Sequence, residues 1–428
     1  WKDSDAQLPR LTHNSTTFHQ AYSAGCWTLP SHGSMFTGLL PHQHRATTRS
    51  RGIRDDVQTL AEFMGNQGYE TIQLTANTVT THIFGLDRGF DRVERIWETL
   101  DPGNIPLSNI MVLLGKRRIR DKFLKGDFIA GKMTEDIKAG QTWVRSFGQG
   151  QFDLAKDILK EADEKNKKVF LFINLMETHF PYHIQNKFKT LSSHPFAKFR
   201  ELKSLYHLVN QSWLTADKDY INAKMLELIR ERQKLAWQRF SEQIDTFSDY
   251  ITGNYPESLY IFTSDHGDNF GDEGWKYHFS NVTEAGNRVP LFMSGAGFAK
   301  QKSVDTPVSI RFINDTIRDA ASDGLNTESI FGKEHFSPVL ESFWYNRKGK
   351  TLPKYQHDQF AFIADKHRYV KNGDGWHVFE LGNGDSAKVE EIPYHSNPIY
   401  DVSLPKEKRE DLIKHFDEFT SFSNSLEN

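Results

Sequence analysis

The chain has a single cysteine, Cys26, and lacks both a long apolar run and a strong excess of one charge. A single thiol cannot form an internal disulfide, which favours a cytoplasmic location over a periplasmic or secreted one. No segment approaches the roughly 18 to 20 consecutive apolar residues of a membrane-spanning helix, so no membrane span is predicted in this chain. The formal net charge of -3 gives no basis for binding nucleic acid, and none is predicted.

What the chain has instead is the composition of a large globular protein. Aromatic residues make up 13% and charged residues 25% of its 428 residues, enough for a large core and a smaller satellite domain. Continuous apolar runs of strand length occur at residues 168–173 and 258–263, and residues 154–162 show the spacing of an amphipathic helix. Asp55 is predicted to cap another helix, with Gln58 in the capping-box position. Apolar strands bounded by helices indicate an α/β protein whose sheet is buried on both faces.

The pattern changes in the last third of the chain. Short apolar strands at residues 360–363, 368–370 and 376–379 are separated by turn residues, which is typical of antiparallel hairpins. Pro405 then opens a final helix with one apolar face. We therefore predict a small C-terminal α+β subdomain over residues 301–428.

Residues 1–300 are predicted to form one large domain with two insertions at an edge of its sheet. These insertions, at about residues 101–150 and 183–232, are rich in Lys, Arg, Gln and Glu with helical patches. A basic cluster at residues 116–120 lies in the first of them. We interpret it as a solvated helix face, with an anion-attracting rim as the alternative.

One group of polar residues follows directly on the apolar strand that is predicted to end at Thr263. It consists of Asp265, His266, Gly267 and Asp268. In α/β folds functional groups gather at the carboxyl ends of strands. A carboxylate beside an imidazole suits a divalent metal ion, and glycine lets the chain turn away at once. Alone, the same short pattern is also compatible with an ordinary turn.

A second segment places a hydroxyl group just before a predicted helix. Thr28 precedes Pro30, which suits the first turn of a helix, and small residues follow. Unpaired backbone N–H groups at a helix start favour a tetrahedral anion there. The alternative interpretation is that Thr28 only caps the helix.

Taken together, these segments resemble the motifs of the sulfatase branch of the alkaline phosphatase superfamily. That branch has a nucleophile followed by x-Pro-Ser-Arg and then Thr-Gly, and this chain has Thr28-Leu29-Pro30-Ser31-His32 followed by Thr37-Gly38. Further landmarks in the family's order are Gly68-Tyr69-Glu70-Thr71, Gly85-Leu86-Asp87-Arg88-Gly89-Phe90-Asp91, Glu177-Thr178-His179-Phe180-Pro181-Tyr182, Asp265-His266-Gly267-Asp268 and Arg288-Val289-Pro290-Leu291. The resemblance spans about residues 8–300. It implies an alkaline-phosphatase-like α/β fold with a mixed, mostly parallel central sheet flanked by helices, and a catalytic role for the large domain.

The resemblance also implies a metal site. Asp265 and His266 would hold one divalent metal ion, with Zn²⁺ or Mn²⁺ favoured and Mg²⁺ or Ca²⁺ possible, and the Thr28 hydroxyl would be a further ligand. In the family an acid at the end of an upstream first strand completes this site. Asp3 and Asp5 are not preceded by an apolar strand. We therefore expect the native protein to extend further upstream and to supply the N-terminal strand and its acid.

Four residues are expected to contact the ester. His179 and His278 would bind its non-bridging oxygens or protonate the leaving group, and Lys276 is a nearby alternative to His278. His32 stands where the family has arginine, and it could hold the Thr28 hydroxyl or a substrate oxygen. The alternative is that His32 is a helix-face histidine that satisfies the backbone.

The threonine decides the predicted reaction. Sulfatases of this branch carry a Cys or Ser at this position, and that residue is oxidised to formylglycine, an aldehyde that threonine cannot give. Cys26 lies two residues too early, and we interpret it as a small buried residue. Threonine is typical of relatives that transfer phosphoethanolamine or phosphoglycerol and of some phosphodiesterases. We predict a metal-dependent hydrolase or transferase that cleaves a phosphate mono- or diester of a small molecule, glycan or lipid through a covalent Thr28 intermediate. A sulfate-ester hydrolase and a catalytically inactive binding protein are the alternatives, and the oligomeric state stays open.

Overall fold

The strands and helices of the computed structural model follow one another through the chain as expected for an α/β protein. The structure describes residues 7–99, 148–180, 182, 195–196, 222–278, 281–322, 338–344, 353–364, 366–373, 375–381, 392–394, 397–400 and 402–426. The strands are β1 (Thr16–Tyr22), β2 (Glu70–Thr75), β3 (Arg92–Arg95), β4 (Val169–Asn174), β5 (Tyr260–Thr263), β6 (Asn269–Phe270), β7 (Lys276–Tyr277), β8 (Arg288–Ser294), β9 (Lys302–Val304), β10 (Val308–Ser309), β11 (Val339–Ser342), β12 (Gln359–Ala364), β13 (His367–Asn372), β14 (Gly375–Glu380) and β15 (Ile392–Tyr394). The helices are α1 (Pro9–Asn14), α2 (Thr28–Thr37), α3 (Pro41–His44), α4 (Leu60–Asn66), α5 (Ile96–Thr99), α6 (Gly148–Glu164), α7 (Ala223–Asn254), α8 (Glu284–Asn287), α9 (Ile313–Ser322) and α10 (Lys406–Ser425).

Some predictions fall on residues that the structure does not describe. The two predicted insertions lie largely outside the described residues, and the basic cluster at residues 116–120 lies wholly outside them. Asp3 and Asp5 are outside them as well. Within the described part of the chain, no helix is both long enough and apolar enough to cross a bilayer.

The chain forms two compact units, one of residues 1–63 with 245–428 and one of residues 64–244. In the first unit β1 lies at the centre of a five-stranded sheet, with β9 and β10 parallel to it and β8 antiparallel. Strand β8 then pairs antiparallel with β5. Because β9 and β10 both come after residue 300, this sheet continues past the predicted domain boundary, which itself stays a prediction.

The second unit has a smaller sheet in which every pair is parallel. Its order is β3-β2-β4, and β2 pairs in full register with β4 from Glu70 opposite Val169 to Thr75 opposite Asn174. Helix α6, which precedes β4 in the chain, has one buried face that includes Phe152, Ala155 and Ile158. The mixed, mostly parallel α/β arrangement is thereby confirmed. Strands β4 and β5 were predicted to be buried on both faces, but both are mostly half-buried. Each of them pairs with one neighbouring strand among the described residues.

The C-terminal hairpins are confirmed as an antiparallel sheet in the order β11-β12-β13-β14-β15. The final helix α10 packs on one face of this sheet, where Phe360, Phe362, Trp376 and Phe419 belong to one apolar cluster. The other face of the sheet is covered as well, because Ala361, Ile363 and Val370 pack in a second apolar cluster with Tyr22, and β12 is therefore buried along its whole length.

One predicted helix start was wrong. Helix α4 begins at Leu60, because Thr59 and Glu62 form the reciprocal capping contacts: the Thr59 N–H donates to Glu62 Oε2 at 2.7 Å, and the Glu62 N–H donates to Thr59 Oγ1 at 3.2 Å. The predicted cap, Asp55, lies in a turn upstream of the helix. Both segments fit a capping box by sequence, but only a true cap places its oxygen on the unpaired N–H groups of the first turn.

Candidate active site

The candidate nucleophile, Thr28, is the first residue of helix α2. The preceding residue, Trp27, is fully extended at φ -162° and ψ 169°, so the chain turns into the helix at Thr28. The side chain of Trp27 makes no capping hydrogen bond, and Thr28 itself lies inside the helix, so the interpretation of Thr28 as the cap is wrong. Thr28 is only 4% exposed. The hydroxyl therefore sits at the positive end of a ten-residue helix, where an anion is favoured.

The N-terminal half of α2 is bound to the end of strand β5 by serine hydroxyls. Ser31 Oγ donates to the backbone carbonyl of Asp265 at 2.6 Å, and Ser23 Oγ donates to Ser31 Oγ at 2.9 Å. Both serines are fully buried. These contacts place Thr28 and Asp265 on neighbouring elements of one rigid unit, although they are distant in sequence.

His32 lies between these two elements. Its Nδ1 is 2.9 Å from the backbone carbonyl of Thr28 and 3.6 Å from Asp265 Oδ2. The first contact satisfies the helix backbone, as in the second interpretation of His32, and a contact with substrate stays a prediction. Burial lowers the pKa of His32 although the Asp265 carboxylate acts to raise it, so the ring is neutral at neutral pH.

Asp265 and His266 present a carboxylate and an imidazole side by side. His266 Nδ1 is hydrogen-bonded to the Gly267 carbonyl at 2.9 Å, which assigns the ring proton to Nδ1 and leaves the lone pair on Nε2. That Nε2 lies 3.5 Å from Asp265 Oδ2. A carbonyl-bound imidazole whose other nitrogen lies beside a carboxylate is the arrangement that metal-ligating histidines use.

Gly267 is required by the tight turn that follows these ligands. A Cβ atom at this position would lie 2.1 Å from the backbone carbonyl oxygen of Ala285, a contact that no side-chain movement can relieve. The Gly267 N–H also donates to the Gly286 carbonyl at 2.9 Å. Because backbone packs on backbone here, the turn holds Asp265 and His266 in place.

The variant Gly267→Ala is expected to lose about 1–3 kcal/mol of stability and at least about tenfold in kcat/KM, because the forced shift displaces the adjacent ligands. Calorimetric unfolding and steady-state kinetics would measure the two effects. Gly253→Ala is the matched control, since a Cβ there has no atom within 4 Å. Equal behaviour of the two variants would contradict the positioning role of this turn.

A third group, His278, is held beside this pair. Its Nδ1 lies 2.6 Å from Asp268 Oδ1, and both side chains are 5% exposed. The rings of His278 and His266 have centroids 4.3 Å apart. The hairpin of β6 and β7 brings His278 back to His266, and Lys276 lies on the same short strand β7. Asp268 was not among the predicted site residues, although it is the fourth residue of the Asp-His-Gly-Asp motif.

The remaining predicted contact, His179, belongs to the other compact unit. It lies in the turn after β4, where its Nδ1 is 2.8 Å from the carbonyl of Phe180. Its role towards the ester stays a prediction. Cys26 is 1% exposed, which confirms the interpretation of a small buried residue.

Two sets of side chains among the described residues fit a divalent cation in this region, and they share His266. Asp265 with His266 is the predicted pair. His266 with Asp268 and His278 is the other, with potential ligand atoms that all lie within 4.8 Å of one another. In the second set the Asp268 carboxylate is already engaged by His278 at 2.6 Å. The contact between Asp268 and His278 is that of a group that orients a histidine, and the assignment of the metal to Asp265 and His266 stays a prediction.

The comparisons with known proteins concern the family and the fold of this chain. The family model described as Sulfatase matches residues 3–323. The chain is 23% identical over 362 residues to a choline-sulfatase of Rhizobium meliloti (strain 1021), covering 78% of this chain and 68% of that protein. It is 20% identical over 413 residues to arylsulfatase K of Canis lupus familiaris, covering 90% of this chain and 71% of that protein. In fold it is similar to a phosphonate monoester hydrolase from Silicibacter pomeroyi, with a TM-score of 0.60 and 14% identity over 96% of this chain and 90% of that one.

The sequence match and the fold therefore define a sulfatase-like hydrolase with an alkaline-phosphatase-like α/β fold. Within this class, the chain belongs to the sulfatase family, whose model matches three quarters of its length. Members of this family are metal-dependent, and the carboxylate and imidazole at the end of β5 are groups that suit such a metal ion.

Proposed function

We propose that this chain cleaves a phosphate ester through a covalent intermediate on Thr28, by hydrolysis or by transfer to an acceptor alcohol. The observation that carries the proposal is the position of a threonine hydroxyl at the buried start of helix α2, bound through Ser31 to the strand end that bears Asp265 and His266. The ester would belong to a small molecule, a glycan or a lipid.

The chemistry of the threonine favours phosphate. The carbon that bears the Thr28 hydroxyl carries no second oxygen, so the transferred group can leave only by a second displacement at its own central atom. Phosphorus supports two successive in-line displacements in many enzymes. A threonine ester of phosphate is therefore an intermediate that water or an alcohol can resolve.

Both displacements would use the residues of this site. Thr28 Oγ1 would lose its proton and form a bond to phosphorus while the bond from phosphorus to the leaving oxygen breaks, and the leaving alcohol would take up one proton, so that the step balances. His278, whose ring is hydrogen-bonded to Asp268, would bind a non-bridging oxygen or hand over that proton. Water or an acceptor alcohol then attacks the phosphorus, and Thr28 leaves with its proton restored. A divalent metal ion held by Asp265 and His266 supplies positive charge for the developing negative charge of the ester.

Sulfate-ester hydrolysis is the second candidate. It is favoured by the similarity to a choline-sulfatase and to an arylsulfatase. The phosphonate monoester hydrolase among the similar structures favours phosphorus chemistry instead. The two candidates share the site and differ in the central atom of the ester.

A panel of esters with one common leaving group separates them. The full-length protein, supplied with Zn²⁺ or Mn²⁺, would be assayed on 4-nitrophenyl phosphate, bis(4-nitrophenyl) phosphate and 4-nitrophenyl sulfate. We expect kcat/KM to be at least about tenfold higher for one of the phosphates, and acid-quenched protein to carry phosphate on the peptide that contains Thr28. Faster cleavage of the sulfate would establish the second candidate, and no cleavage of any ester by metal-loaded protein would support an inactive binding protein.

A further inference from the structure

A second cluster of histidine and carboxylate side chains shares no residue with the candidate active site. His42 on helix α3 is its centre. His42 Nδ1 is 2.5 Å from Glu341 Oε1 on strand β11, and the His42 backbone N–H donates to the other oxygen of the same carboxylate at 2.9 Å. His42 and Glu341 are 5% and 1% exposed. Glu341 thus fixes the orientation of the His42 ring and points its Nε2 away from the strand.

Helix α10 supplies the other side of this cluster. Glu418 Oε2 lies 3.1 Å from His42 Nε2, and it also accepts a hydrogen bond from Gln43 Nε2 at 3.0 Å. His415, three residues before Glu418 and therefore on the same helix face, has its ring centroid 6.0 Å from that of His42. One turn earlier, Asp411 Oδ1 lies 3.3 Å from His415 Nε2.

His415 carries an unsatisfied nitrogen. Its side chain is only 8% exposed, and its Nδ1 is fully buried without a hydrogen-bond partner in the described structure. The closest acidic atom is Glu418 Oε2 at 3.9 Å, which is beyond hydrogen-bond range. A buried polar atom without a partner is rare in native proteins, so this nitrogen is a candidate ligand atom.

We propose that His42, His415 and Glu418 bind a Zn²⁺ ion. One potential ligand atom from each of the three side chains lies within 4.8 Å of the other two, and Glu418 Oε2 is 3.1 Å from His42 Nε2 and 3.9 Å from His415 Nδ1. Two imidazoles with one carboxylate are a common zinc ligand set, and Glu418, 38% exposed, leaves room for a water molecule as the fourth ligand.

The neighbours of the two histidines support a metal site specifically. Glu341 binds His42 through Nδ1, and Asp411 faces His415 through Nε2, so that in each ring the opposite nitrogen is left for the metal. A carboxylate behind each ligating histidine is the recurrent outer shell of zinc sites. The alternative, a proton that bridges His42 to Glu341 and Glu418, satisfies His42 but leaves His415 Nδ1 unsatisfied. A metal ion satisfies both histidines.

This site shares no residue with the candidate active site. Of its members only His42 lies within the match to the Sulfatase family model, which ends at residue 323, before Glu341, Asp411, His415 and Glu418. The ion would link α3, which follows the helix of Thr28 in the chain, to α10. Glu341 on β11 would hold the His42 ligand from behind. We infer a structural role, in which the ion stabilises the packing of α10.

The experiment compares zinc content in variants of the full chain. Protein stripped with a chelator is dialysed against micromolar Zn²⁺ and assayed by elemental analysis, with Co²⁺ as a spectroscopic probe of the same variants. We expect Glu418→Gln and His415→Gln each to bind one equivalent of metal fewer than the wild type. Each variant should also lose the strong visible absorption that Co²⁺ shows when this site holds it with few ligands. Glu341→Gln, which keeps all three ligands, is expected to weaken binding about 10- to 100-fold.

Glu410→Gln is the matched control, because Glu410 lies on the same helix, is 63% exposed and pairs only with Lys406 among the described residues at 3.7 Å. It is expected to bind as much zinc as the wild type. Glu418→Gln is expected to leave the rate of ester cleavage unchanged, so the result does not depend on the proposed reaction. Equal zinc content in Glu418→Gln, His415→Gln and Glu410→Gln would overturn the proposal and leave a proton as the group that holds the cluster.

Discussion

Replacing Thr28 with valine is expected to lower kcat for ester cleavage by about 10³- to 10⁶-fold, the range for loss of a covalent nucleophile. Valine has nearly the shape of threonine and differs in having a methyl group in place of the hydroxyl. The residue is 4% exposed in the first turn of α2, so the substitution tests the hydroxyl and leaves the helix intact. Steady-state kinetics on the best ester of the panel would measure the loss, and circular dichroism would show that the fold is retained.

Thr28→Ser is the control for this prediction. Serine keeps a hydroxyl at the same carbon and is expected to retain activity within about 10- to 100-fold of the wild type, since only the positioning methyl group is lost. The acid-stable phosphate should move to the serine of the same peptide. If Thr28→Val keeps wild-type activity, the nucleophile is a different group and the assignment of α2 as the catalytic helix fails.

The parts of the site that were predictable are those encoded by local patterns. A carboxylate and an imidazole after a strand, and a hydroxyl before a proline that starts a helix, can be read from a few neighbouring residues, and the structure brings these two segments together through Ser31 and the Asp265 carbonyl. The C-terminal hairpins were predictable for the same reason, because alternation and turn residues are local. The start of α4 was not, since two adjacent segments both fit a capping box and only the geometry at Thr59 distinguishes them.

The cluster around His42, at which we propose a zinc ion, shows what local patterns leave out. His42 is separated by 299 residues from Glu341 and by 376 residues from Glu418, so no spacing rule connects them. Only the folding of α10 onto the C-terminal sheet brings these side chains together. By contrast, Asp268 lies only ten residues from His278, and the Asp-His-Gly-Asp motif already contained it. Its contact with His278 was missed because only the hairpin of β6 and β7 brings that histidine back to the motif.

Replacing Asp265 with asparagine is expected to weaken metal binding at the candidate active site by at least about 100-fold, because removing a partner in even the outer shell of a metal site costs 10- to 100-fold. The substitution keeps the size of the side chain and removes its charge. The neighbouring His32 has a pKa lowered by burial and is neutral, so no buried cation loses its partner and the fold should persist. Elemental analysis of the purified protein, and cleavage of the preferred ester, would measure the two losses.

Asp305→Asn, on an exposed stretch after β9, is the control and should keep full metal content and activity. Combining Asp265→Asn with Glu418→Gln separates the two proposed sites. If both exist, each single variant loses one equivalent, the double variant loses two, and only variants that carry Asp265→Asn lose activity, because sites without shared partners act independently. Full metal content in Asp265→Asn would show that Asp265 is not a ligand. The set of His266, Asp268 and His278 would then be the metal site, and Asp268→Asn should remove the ion that Asp265→Asn leaves in place.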